Sequence, residues 1–187
     1  MRNLLTASAT PLAGLLVLET VPQQAAASVE TVTFRADAFQ QWTNMSADFV
    51  LEGHSRSCKH VVRGLHYQAG EHAQGKLVRV VQGAVWDVAV DLRRHSATFG
   101  QWYATTLSAD NGRQLWIPPG FAHGFCALAD QVDMLYKLTA YRHAESERCI
   151  HWQDPDLAIP WPLSDREARL SERDAAAGGF RQAAYYD

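Results

Sequence analysis

From Lys76 onward, apolar and polar positions alternate with period two, in short runs parted by turn formers about every ten residues. Ala84, Trp86, Val88, Val90 and Leu92 share one face, with Asp87 and Asp91 on the other. Val132, Met134, Tyr136 and Leu138 likewise share a face against Asp133, Lys137 and Thr139, so Tyr136 is expected to point inward. The intervening runs predict strands over 77–81, 101–107, 113–117 and 123–128. Upstream, strands are expected over 15–19, 30–34, 49–51 and 61–67, with a short helical turn at 36–42 and a polar connector at 52–59. The proline- and aromatic-rich stretch 154–162 predicts an irregular packed segment, and 170–177 a short helix before Gly178 and Gly179. A succession of short strands with few helices predicts an all-β sandwich, barrel or jelly roll.

A length of 187 residues suits one domain with a sizeable core. The formal net charge of −3 and the lack of a basic run exclude nucleic acid as an expected partner. The three cysteines, Cys58, Cys126 and Cys149, are odd in number and widely spaced, which speaks against a disulfide framework or zinc site and for a reducing cytoplasm. Arg2, the apolar run 12–18 and Ala25-Ala26-Ala27 imitate a secretory leader. Pro11, Gly14 and Glu19 interrupt it, so a strand is the expectation there. No stretch is long enough to span a membrane as a helix.

Candidate chemistry centres on Val61-Val-Arg-Gly-Leu-His-Tyr-Gln68. Strict alternation would put Arg63 and His66 on opposite faces, so a shared site requires a bulge, which Gly64 permits. The segment from Gly112 through Pro118 and Gly120 to His123 resembles the second cupin motif, although Arg113 and Ala127 depart from it. Where the first cupin motif has a His-x-His metal pair, this chain has His66 with Gln68. A divalent metal wants three or more ligands, and no spacing unites His66, His72 and His123. The expectation is a cupin-type double-stranded β-helix, or jelly roll, with short peripheral helices and neither metal nor other cofactor.

Arg63-Gly-Leu-His-Tyr-Gln68, Gln74-Gly-Lys-Leu-Val-Arg79, Gln114-Leu-Trp-Ile-Pro118, Gly120-Phe-Ala-His-Gly-Phe125, Leu135-Tyr-Lys137, Trp152-Gln-Asp-Pro155 and Leu170-Ser-Glu-Arg-Asp174 together resemble the dTDP-4-dehydrorhamnose 3,5-epimerase family. That resemblance implies a metal-free jelly-roll homodimer inverting carbon 3, carbon 5 or both in a 4-keto-6-deoxyhexose carried on dTDP. It implies His66 as the base, Asp174 as its carboxylate partner, Lys76 near the keto oxygen and Tyr136 on the opposite face of the sugar. Arg63 is implied near the diphosphate, with His123, Glu30, Ser55 and Gln68 in the substrate region. Asp165 competes with Asp174 for the role beside His66.

The chemistry needs such a set. A ketone's α-proton lies about a dozen pK units above an imidazole, an uphill transfer of ~16 kcal/mol for a base alone. A buried ammonium can stabilise the enolate oxygen where its charge develops, and a phenol can supply the proton on the far face. A carboxylate on the far ring nitrogen holds the tautomer.

Departures lie mostly in the first third, read here as N-terminal strands and a divergent substrate segment (1–54) before the jelly-roll core (55–162) and helical tail (163–187). An Asp-x-Arg-Gly-x-Phe-x-Glu segment becomes Gln23 to Glu30, with alanine in place of arginine at Ala25. Gln-Asp-Asn-His-Ser becomes Leu51-Glu52-Gly53-His54-Ser55, and the second of two tyrosines becomes Arg142. Two other functions fit such departures: the same base, lysine and tyrosine acting on a non-nucleotide substrate in natural-product biosynthesis, or a cupin that only binds a ligand.

Overall fold

The computed structural model describes residues 4–46, 48–164 and 166–187. In chain order the elements are β1 (Leu5–Ala9), β2 (Leu16–Thr20), β3 (Gln23–Ala25), β4 (Ser28–Glu30), α1 (Ala36–Thr43), β5 (Leu51–Ser57) and β6 (Val62–Gln68). Then follow β7 (Lys76–Gln82), β8 (Ala84–Asp91), β9 (Trp102–Ser108), β10 (Gln114–Ile117), β11 (Phe121–Ala127), β12 (Val132–Leu138), β13 (Glu147–Cys149) and α2 (Glu172–Ala175). A six-stranded sheet in the order β1-β2-β10-β7-β12-β5 faces a five-stranded sheet in the order β13-β6-β11-β8-β9. Every pairing within them is antiparallel. This is the expected cupin jelly roll.

Three apolar layers follow from the alternation. Between the sheets, Val78, Val80, Leu115, Ile117 and Met134 meet Val85, Ala89, Leu107, Phe121 and Phe125. On the outer face of the five-stranded sheet, Val88, Val90, Leu92 and Cys126 are covered by Trp152, Leu157, Ile159 and Trp161 of the tail. That is the packed segment expected at 154–162, held by the Trp161 indole donating to the Trp152 carbonyl at 2.6 Å. On the outer face of the six-stranded sheet, Phe39 of α1 closes over Leu18, Leu77 and Trp116. Phe39 meets the Trp116 ring edge-on at 4.8 Å, so Phe39→Ala removes about 3–5 kcal/mol of packing.

Some expectations shift. The N-terminal apolar run is core: Leu12 and Leu15 lie in the inter-sheet layer, and the strand expected at 15–19 is β2, preceded by β1. The strand expected at 30–34 stops at Glu30, because β4 pairs only with β3 and their register ends at Gln23 opposite Glu30. The polar connector 52–59 is largely strand β5, whose seven residues pair with Val132 to Leu138. Backbone pairing to a central strand carried it in spite of its polar side chains. Both faces of β8 are covered, so Asp87 and Asp91 are fully buried. Among the described residues no helix is long and apolar enough to cross a membrane.

Candidate active site

A cavity of about 440 Å³ opens between the two sheets. The six-stranded sheet supplies Ser55, Lys76, Val78, Met134 and Tyr136 to its walls, and the five-stranded sheet supplies Arg63, His66, Gln68, His123 and Phe125. Arg63 and His66 share it because β6 slips against β11: His66 stands opposite His123, but Arg63 stands opposite Phe125, three residues against two. Gly64 carries the slip with φ +121°, and a Cβ there would meet the Gly124 Cα at 2.5 Å and the His123 carbonyl oxygen at 2.7 Å. No residue but glycine fits that position.

His66 Nε2 is hydrogen-bonded to Asp174 Oδ1 across 108 positions of chain. Asp174 is not itself a helix cap: Ser171 caps α2, its hydroxyl accepting from the Asp174 amide at 3.1 Å, and the carboxylate is free to face β6. Asp174 is 1% exposed, and its buried Oδ2 has no hydrogen-bond partner among the described residues. Burial works to raise this carboxyl, but the His66 hydrogen bond and charge, helped by the Ser171 and Cys149 contacts, hold it below the usual carboxylate range. The Cys149 thiol, pushed up to about 12 by burial and by the Asp174 charge, stays protonated and donates to Asp174 Oδ1 at 3.5 Å. With Nε2 engaged, Nδ1 is the ring nitrogen left to act as a base. Asp165, the competing carboxylate, lies outside the described residues.

Lys76 begins β7, partly buried, and lines the cavity. Burial brings its ammonium down to about 8, with Asp87 and Glu147 pulling the other way. Nζ donates to the His66 carbonyl at 3.4 Å. His123 forms a second histidine–aspartate pair, Nε2 lying 3.0 Å from both Asp87 oxygens. Asp87 was not among the expected site residues. Its signal was present, since Val85, Asp87 and Ala89 occupy one face of β8 and an aspartate between two buried apolar residues demands a partner. Tyr136 reaches the cavity from β12, inward as its alternation predicted.

Two expected substrate contacts read differently. Gln68 lines the wall, but its amide ties the lip together, donating to the His72 and Tyr141 carbonyls and accepting from the His143 amide. Glu30 is exposed at the end of the β3–β4 hairpin and does not reach this chain's cavity, because β4 pairs with nothing but β3. At the mouth, Arg142 and Arg173 each bind Glu147 at 2.8 Å, three lining residues the sequence reading did not assign to the site. Arg63 has no ion pair among the described residues. The one grouping there able to hold a metal is His66, Cys149 and Asp174, with donor atoms within 4.8 Å of one another. A protonated thiol and a carboxylate already shared with an imidazole suit hydrogen bonding better.

Residues 9–182 match the dTDP-4-dehydrorhamnose 3,5-epimerase family. The chain is 52% identical over 151 residues to the Pseudomonas aeruginosa dTDP-4-dehydrorhamnose 3,5-epimerase, covering 81% of this chain and 82% of that one. Among solved structures, the Elizabethkingia anophelis dTDP-4-dehydrorhamnose 3,5-epimerase superposes with a TM-score of 0.94 at 37% identity, over 98% of this chain and 100% of that one. The Legionella pneumophila dTDP-6-deoxy-D-glucose-3,5-epimerase, in complex with dTDP-4-keto-L-rhamnose, superposes with a TM-score of 0.90 at 44% identity, over 95% and 94% of the two chains. With sequence and fold in agreement over nearly the whole length, the chain belongs to the dTDP-4-dehydrorhamnose 3,5-epimerase family, a family of sugar-nucleotide epimerases.

Proposed function

We propose that this protein inverts carbon 3, carbon 5 or both in a dTDP-linked 4-keto-6-deoxyhexose during deoxysugar biosynthesis. His66 takes the proton from the carbon beside the ketone, the electron pair moves onto the keto oxygen, and the Lys76 ammonium stabilises the enolate. Tyr136 then delivers a proton from the opposite face, which inverts the centre; Tyr136 regains a proton from solvent and the His66 imidazolium releases one to it. Asp174 holds the His66 tautomer and stabilises the imidazolium that forms. Arg63 meets the diphosphate, with Ser55 and His123 against the substrate.

The observation that carries this reading is the pairing of a half-exposed histidine with a buried carboxylate in the same cavity as a lysine whose ammonium sits near 8. The reading also takes the protein as a cytoplasmic homodimer. Three free cysteines suit a reducing compartment, and the exposed β3–β4 hairpin offers Glu30 to a second copy. The test is solvent exchange. In D₂O, dTDP-4-keto-6-deoxyglucose should take up deuterium at carbon 3 or 5 with the native protein and not with His66→Ala. A native protein that neither exchanges nor binds dTDP would overturn the assignment.

A further inference from the structure

Tyr136 is held in place by the absence of a side chain. On the β5–β12 ladder, Gly53 stands directly opposite Tyr136, and its neighbour two residues on, Ser55, lines the cavity. Gly53 therefore projects to the cavity side of the sheet. A Cβ built on it would fall inside the van der Waals shell of Cζ and Cε2 of the Tyr136 ring and lie 2.5 Å from its Oη. The phenol thus lies across the bare backbone of β5, and Tyr136, not Gly53, forms the cavity wall there.

The backbone does not explain the glycine. Gly53 is absent from the positive-φ positions, so its conformation is one an L-residue adopts, and glycine inside a strand ordinarily weakens it. The strand is otherwise fastened, with seven paired residues along β12 and Glu52 bound to Lys137. What the missing side chain does provide is a seat for the ring. A ring seated here has its hydroxyl against edge strand β5.

We propose that Gly53 is a positioning residue for the opposite-face proton donor, and so sets how often an enolate is inverted and how often it merely exchanges its proton. The inference rests on the epimerase reading. An enolate formed by His66 has two fates: His66 returns a proton to the original face, or the seated phenol protonates the other. Misplacing one donor by an ångström penalises only the second.

The experiment compares native protein with Gly53→Ala in D₂O, measuring deuterium uptake and configuration at each centre by NMR, beside dTDP affinity. Alanine fits an extended strand, so the ring moves and the sheet stays. Inversion per exchange event should fall about tenfold to a hundredfold, with total exchange and dTDP affinity within about twofold. In a Tyr136→Ala background the same substitution should change nothing further. A crystal structure of Gly53→Ala should show the ring displaced from β5. An unchanged or raised ratio overturns the proposal, as does a ring still lying on residue 53. Absence of exchange in the native protein would instead sink the epimerase reading and this proposal with it, whereas exchange with an unchanged ratio sinks this proposal alone.

Discussion

His66 and His123 stand opposite one another on the β6–β11 ladder, each joined to a buried aspartate, yet the pairs are built differently. The His123 side chain is 9% exposed and Asp87 not at all; both come from adjacent strands, and one ring nitrogen meets both carboxylate oxygens. The His66 side chain keeps 34% exposure, and its aspartate arrives from the tail, shares one oxygen with a thiol and leaves the other unpartnered. A pair whose members are both sealed and mutually satisfied is suited to holding a shape. A pair with one member open to the cavity, and unspent capacity on the other, is suited to gaining and losing a proton. On the proposed mechanism, placing both in one cavity would divide the labour between moving a proton and fixing the wall against which it moves.

Substitution of each pair tests that division. The largest expected effect is His66→Ala, which should lower deuterium exchange by about 10³-fold or more, whereas His123→Ala should leave exchange measurable and act more on KM. Equal losses in exchange would dissolve the distinction. Asp174→Asn should lower kcat by about 10² to 10⁴-fold through the wrong tautomer, with a smaller loss of melting temperature from the depressed carboxyl it removes. Asp87→Asn should do the reverse, destabilising by about 1–3 kcal/mol because a buried pair is left mismatched.

Next comes pH. Lys76 must be charged to stabilise an enolate, so turnover should fall as pH rises through about 8. Lys76→Arg, weaker in absolute rate, should lack that limb. The same burial works against folding at neutral pH. Between about 8 and 10.5 the unfolded chain binds the proton that the native state has lost, so Lys76 makes native stability rise with pH over that window. Lys76→Met should accordingly stabilise at pH 7 by about 1–3 kcal/mol while abolishing turnover. Asp174 has the opposite sign. Its carboxyl is depressed, so its contribution is present above the unfolded value and fades as pH falls through the native one. Smallest of all should be Arg142→Ala, an exposed partner of Glu147, with no measurable change in melting temperature.

Much of this site was legible in the chain. Alternation turned Tyr136 inward, and Gly64 between Arg63 and His66 announced the slip that brings both to one cavity. The resemblance pointed to Asp174 from 108 positions away, and the structure joins it to His66. What escaped did so for identifiable reasons. β5 is polar because it is an edge strand whose inner face borders the cavity, so hydrophobic pattern carries no signal there. Asp87 read only as a residue on the face of β8 opposite the apolar one, and the coverage of both faces by other elements is what makes the apolar residues beside it a signal. Gln68 looked like a substrate contact until its amide was found spanning the lip. Gly53 looked like a loss of a polar group, and its meaning depends on a ring from another strand.

The tail carries one further consequence. Every strand of both large sheets is in place by Cys149, whereas the carboxylate paired with His66 comes later, on a four-residue helix flanked by Arg169, whose backbone bonds to His60 and Val62, and by Gly178, whose carbonyl accepts from the His151 amide. During synthesis, the barrel is therefore complete in outline before its base is armed. Backbone pairing at Arg169 and Gly178 should keep that helix seated even after a nick between Trp161 and Ser164. Docking of the tail, and not closure of the barrel, thus completes the His66 pair.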